Sequence, residues 1–82
     1  VPKHDWELVC DGSREEIERI VKEVMETGVD GIPQPNNVLV KYKWINGYFV
    51  VVLYVIINGI RRVSTAFVCK PALEKDYIPG RK

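Results

Sequence analysis

The sequence predicts an α+β domain in which one N-terminal amphipathic helix packs on a small antiparallel β-meander of three main strands. Two observations carry that reading: apolar residues recur at helical spacing between Ser13 and Gly28, and two Asn-Gly pairs divide a long β-branched stretch into consecutive hairpins. A third bounds it. Eighty-two residues, 46% of them hydrophobic, suffice for a single domain spanning 1–82 around one core and exclude separate cofactor and substrate lobes.

The elements follow in chain order. Trp6 and Leu8 alternate with Asp5 and Glu7, so residues 3–9 read as a short strand or an extended segment stitching the N-terminus to the core, with Trp6 as a core anchor. Ser13, with Glu16 three residues on, forms a capping box. Ile17, Ile20, Val21 and Val24 then form the apolar stripe of a helix of about four turns that Gly28 ends. Gly31, Pro33, Pro35, Asn36 and Asn37 suit neither helix nor ladder and make a loop. Strands are expected over residues 38–45, 48–57 and 60–69, joined by Asn46-Gly47 and Asn58-Gly59, because both residues of an Asn-Gly pair tolerate the positive φ of a type I′ turn. The middle strand is apolar at every position, as a strand covered on both faces would be. Its ten residues are too few for a helical membrane span.

Two-residue turns fix a register by counting, and the register sorts side chains into two faces. The first face carries Val38, Val40, Tyr42, Trp44, Phe49, Val51, Leu53 and Val55, with Arg62, Ser64, Ala66 and Val68 from the last strand, and is the expected floor for the helix. Trp44 is expected to be a core anchor, like Trp6. The second face brings Lys41 beside Val52 and Thr65, with Lys43, Tyr54 and Arg61 nearby, and is expected to lie opposite the helix.

Net charge is only +1, but it is unevenly placed. Residues 1–30 hold four bases and nine acids, whereas residues 31–73 hold Lys41, Lys43, Arg61, Arg62 and Lys70 with no acid. The basic half is a candidate anion-binding surface. Lysines, arginines and hydroxyls on a strand floor suit a phosphodiester, because cations neutralise its oxygens and hydroxyls donate short hydrogen bonds to them; an ordinary solvated sheet face has the same composition. His4 is the one side chain whose ordinary pKa lies near neutrality, so proton transfer at pH 7 would fall to it, with Lys3 as a neighbouring fixed charge; a terminal histidine without a task is the plain alternative. Cys10 and Cys69 have neither metal-ligand spacing nor the density of a disulfide scaffold, and read as two half-buried thiols in preference to a bridge. A structural domain stapled by that pair is the weakest of the functional alternatives. No cofactor is implied, and no basic segment followed by an apolar stretch opens the chain.

The opening Lys3-His4-Asp5-Trp6, the helix ending in glycine, the strand Lys41-Tyr42-Lys43, the Asn-Gly turn, the long Val-rich strand and the closing Arg62-Val63-Ser64-Thr65-Ala66-Phe67-Val68 together resemble the C-terminal nuclease domains of bacterial polymorphic and contact-dependent growth inhibition toxins. Those domains have a "KH-W" start and a final strand of the type "ISxAWV", and are assigned to the ribonucleases of the barnase, EndoU, colicin and RelE type. The resemblance spans residues 3–70. It implies a toxin domain, delivered from a secreted or cell-surface protein, that acts in the target cell's cytoplasm and is neutralised in its producer by a cognate immunity protein. It also implies cleavage of RNA, tRNA among the candidate substrates, by attack of a 2′-hydroxyl without a metal ion. Carried onto this chain, it points to His4, Lys43, Ser64 and Thr65 as catalytic, with Lys3, Lys41, Tyr54 and Arg61 on the RNA. Relatives often have an acid where this chain has Thr65. The alternative from another class is a non-catalytic RNA- or protein-binding module using the basic sheet face.

Overall fold

The computed structural model describes residues 6–80. Within them one long helix, α1 (Arg14–Thr27), precedes an antiparallel sheet of four strands in sequential order: β1 (Val29–Asp30), β2 (Leu39–Ile45), β3 (Tyr48–Ile57) and β4 (Ile60–Cys69). A 3-10 turn (Pro71–Leu73) and a four-residue helix, α2 (Glu74–Tyr77), follow. The α+β meander expected from the sequence is present, with one strand more. β1 is two residues long and pairs Val29 with Tyr42 and Asp30 with Lys41, too short to leave any periodicity in the sequence.

Local chemistry sets the ends of α1. Ser13 is the N-cap, its Oγ accepting from the Glu16 N–H at 3.3 Å. The reciprocal half of the expected capping box is replaced: the Ser13 N–H donates to Asp11 Oδ1 at 2.8 Å, while Glu16 pairs with Arg19 at 2.7 Å. Hydrogen bonds from Ser13, the side chain first and the backbone next, hold the Asp11 carboxyl below the usual carboxylate range. Gly28 closes the helix as a C-cap, its N–H reaching the Val24 carbonyl at 2.8 Å. Its backbone is extended, with φ at −73°, so the glycine serves close approach: a Cβ there would come within 3.0 Å of the Tyr42 carbonyl. Both Asn-Gly turns form as expected, with positive φ at Asn46, Gly47, Asn58 and Gly59.

Segment 6–9 departs from the strand reading. Trp6–Leu8 forms a 3-10 turn. The Val9 and Cys10 N–H groups both donate to the Trp6 carbonyl, and that turn drops the Trp6 ring into the core, where it is 1% exposed. The anchoring role expected of Trp6 is present, but a turn delivers it.

The largest correction concerns the faces of the sheet. Helix α1 packs Ile17, Ile20 and Val24 on Val50, Val52, Ala66 and Val68, the face carrying Lys41 and Lys43, and not on the face of Val51 and Leu53. The middle strand offered no preference, because Val50, Val51 and Val52 are all fully buried. The two faces differ in the neighbouring strands. β4 carries an irregularity: Thr65 opposes Leu53 and Val63 opposes Tyr54, leaving Ser64 as the extra residue. Beyond it the parity of β4 reverses. Ala66 and Val68 turn under α1, where small Ala66 lets the helix come close, and Thr65, Phe67 and Cys69 turn to the other side. Each fully buried Ile or Val contributes about 1.5–3 kcal/mol, so a helix seated on that floor is strongly favoured.

The far face has its own cover. The chain after β4 folds back so that Ile78 is 3% exposed against Val40, Phe49, Val51 and Cys69, with Tyr77 edge-on to Phe67 at 5.3 Å. Trp44, expected in the core, sits beyond this cover: it is 56% exposed and leans edge-on against Phe49 with ring centroids 4.4 Å apart. A position near the end of β2 leaves it at the rim. No helix among the described residues is long and apolar enough to cross a membrane.

Candidate functional site

The two strand lysines lie on the helix side. Lys43 Nζ is 3.1 Å from Glu23 Oε2 and 2.9 Å from Thr27 Oγ1. Arg61 reaches the same region from β4, donating to the Met25 carbonyl at 3.4 Å. Helix α1 has no basic residue in its own last turn, and its final carbonyls carry the negative end of the helix dipole. Lys43 and Arg61 therefore supply from the sheet the cations that the helix C-terminus lacks. Lys41, its side chain only 13% exposed, bridges to Asp30 on the neighbouring strand at 2.9 Å. The long stems of the lysines run along apolar surface while their heads reach carboxylates at its edge. Three of the cations expected to hold phosphate thus have partners inside the domain.

Tyr54 is also on the helix side, 5% exposed, next to a cavity of about 220 Å³ that it lines with Asp30, Gly31 and Pro33. Thr65 is not beside Lys41: the irregularity at Ser64 puts it opposite Leu53, on the face away from α1. Arg62 opposes Val55 on that same face, so Arg62 and Thr65 share it, with Ser64 exposed at the irregularity between them. Arg62 makes no ion pair among the described residues. His4 and Lys3 lie outside the described residues.

The six of these eight side chains that lie among the described residues therefore divide. Lys41, Lys43, Tyr54 and Arg61 lie on the helix side of the sheet, while Thr65 lies with Arg62 on the opposite face and Ser64 is the exposed extra residue between them. Arg62 belongs to the basic stretch that the sequence marks out, and hairpin counting already places it opposite Val55 on this face. What no periodicity announces is the parity change beyond it, which brings Thr65 to the same side.

Both thiols are free. Cys10 Sγ donates to the Trp6 carbonyl at 3.4 Å and accepts from the Gly12 N–H at 3.4 Å, closing the turn before α1. Burial, with the nearby carboxylates of Glu74 and Asp76 adding to it, pushes the Cys69 thiol up to about 11, so it is a protonated, unreactive packing group at neutral pH. Among the described residues no three His, Cys, Asp or Glu side chains converge to hold a metal ion. No family model, curated protein or solved structure matches this chain.

Proposed function

We propose that the chain is a ribonuclease domain whose RNA-facing surface is the sheet face opposite α1, at Arg62, Ser64 and Thr65. The observation that supports it is the irregularity at Ser64, which turns the half-buried Thr65 to the side of Arg62, an exposed cation with no ion pair among the described residues, with the exposed Ser64 between them in sequence. A guanidinium presents paired donors to two phosphate oxygens, and neighbouring hydroxyls can donate to the same group or orient a ribose hydroxyl. In the reaction the 2′-oxygen attacks the adjacent phosphorus, its proton passing to a general base; the P–O5′ bond breaks and a general acid protonates the leaving oxygen. The products are a 2′,3′-cyclic phosphate and a 5′-hydroxyl. The His4 imidazole takes one of the two proton transfers, and Arg62 stabilises the charge on the phosphorane oxygens. Lys41, Lys43 and Arg61 hold the domain together.

Incubation of the domain with total RNA in EDTA, followed by end-group analysis, tests this. Discrete fragments ending in a cyclic phosphate are expected from the wild type, with losses of at least 10²-fold in His4→Ala and Arg62→Ala and a smaller loss in Thr65→Val. Absence of cleavage by the wild type overturns the reading. The engagement of Lys41, Lys43 and Arg61 within the domain takes support from the other reading, a non-catalytic module that binds RNA or protein through the basic sheet face; binding with no cleavage would establish it.

A further inference from the structure

Strand β4 forms one edge of the sheet, so among the described residues no strand pairs with its outer side. The opposite edge is the two-residue β1, whereas β4 is ten residues long. Ile60 and Val63, near its start, are 64% and 45% exposed. Folded proteins ordinarily cover or blunt so long an edge, because its free N–H and C=O groups are a template for another strand. Immediately beside this edge, on the helix side, a groove of about 430 Å³ lies between α1 and β4, floored by Ile17, Val21, Met25 and Val63. Edge and groove are continuous through Val63.

We infer that the outer edge of β4 and this groove together form a docking site for an extended segment of another protein, added as a fifth strand. The segment carries apolar residues at every second position and acidic residues between them. Successive side chains of a strand point to opposite faces, so alternate residues of an added strand drop into the groove against Val21 and Met25 while the others face the side of Arg62. Arg62 is exposed there with no ion pair among the described residues, and residues 31–73 contain no acid to answer it, so the complementary charge comes from the incoming chain. The irregularity at Ser64 ends the regular edge and confines the added pairing to residues 60–63. A second copy fits less well. Antiparallel pairing of β4 with itself about Arg61 or Arg62 sets like charges directly opposite each other.

The test uses two fluorescein-labelled eight-residue peptides, one alternating valine with glutamate and one alternating valine with lysine, titrated against the whole domain and read by anisotropy. The glutamate peptide is expected to bind at least tenfold more tightly, and to protect from hydrogen exchange those amides of residues 60–63 that point away from β3. Arg62→Glu, an exposed change that leaves the core intact, should reverse the preference, and Met25→Glu should weaken both peptides at least tenfold. Equal binding of the two peptides overturns the proposal. So does a sedimentation mass of two chains without peptide, which would make a second copy the occupant, or protection of the same amides in the free monomer, which would mean that the chain covers its own edge.

Discussion

Lys43 Nζ and Glu23 Oε2 sit 3.1 Å apart, on the side of the sheet that α1 covers. Because Thr27 Oγ1 accepts from the same ammonium, the lysine is tied to the C-terminal turn of the helix. A side chain that composition places among phosphate ligands is thereby part of the join between helix and sheet.

Lys43→Met should accordingly leave RNA cleavage within twofold of wild type and lower stability by about 1 kcal/mol or less, because the pair is partly solvated and such bridges are individually weak. Urea unfolding and the RNA assay measure the two effects on one preparation. A loss of cleavage above tenfold with unchanged unfolding would return Lys43 to the substrate.

Trp6 is the largest buried side chain of the helix-side core, and its Nε1 is buried without a hydrogen-bond partner among the described residues. Trp6→Ala should cost about 3–5 kcal/mol through the cavity it leaves. Trp6→Phe should cost clearly less, since it keeps a ring in place and removes the unpaired N–H. Denaturant midpoints at equal slope would check the order; equal losses would mean that the indole N–H has a partner after all.

Gly31 is where the C-terminal segment meets the sheet. Its N–H donates to the Val40 carbonyl and that of Ile32 to the Tyr77 carbonyl, each at 2.8 Å. A Cβ on Gly31 would fall 2.7 Å from Val40 Cγ1 and against the Tyr77 carbonyl oxygen. Gly31→Ala should therefore lift the segment around Ile78 off the far face, at a cost of about 1–3 kcal/mol. Limited trypsin digestion at Lys75 should accelerate while the core of α1 stays protected; unchanged digestion would show that the contact adapts.

Cys69 makes stability depend on alkaline pH. Its folded thiol is pushed up to about 11 from an ordinary 9.0, so between those values the unfolded chain has lost the proton that the folded chain keeps. Stability from this group is fully present below pH 9 and declines as pH rises towards 11, by up to ~2 kcal/mol. Comparing unfolding at pH 8 and pH 10.5 in wild type and Cys69→Ala isolates the effect from the tyrosines and lysines. An identical pH slope in the two proteins would contradict it.

Much of this architecture was legible in the sequence because its causes are local. Ser13 and Gly28 mark the ends of α1 by capping and by space for a crossing carbonyl, and the Asn-Gly pairs dictate type I′ turns that set the strand limits almost to the residue. The anchor role of Trp6 follows from the scarcity of large apolar side chains in a small domain. β1 was not legible, since two residues hold no period, and the cover provided by Ile78 was not either, because α2 has only four residues.

Which face meets the helix was decided by the tertiary structure alone. With Val50, Val51 and Val52 equally apolar, the pattern of β3 is symmetric, and the choice falls to one extra residue at Ser64, whose effect is to exchange the two sides of β4. That single irregularity brings Ala66 beneath α1, sends Thr65 to the side of Arg62, and leaves Lys41 and Lys43 among the helix-side contacts. The sequence by itself determined the helix, the hairpins and an uneven charge; a strand's two-residue period carries no label for its faces, so the location of every candidate site residue waited on long-range packing.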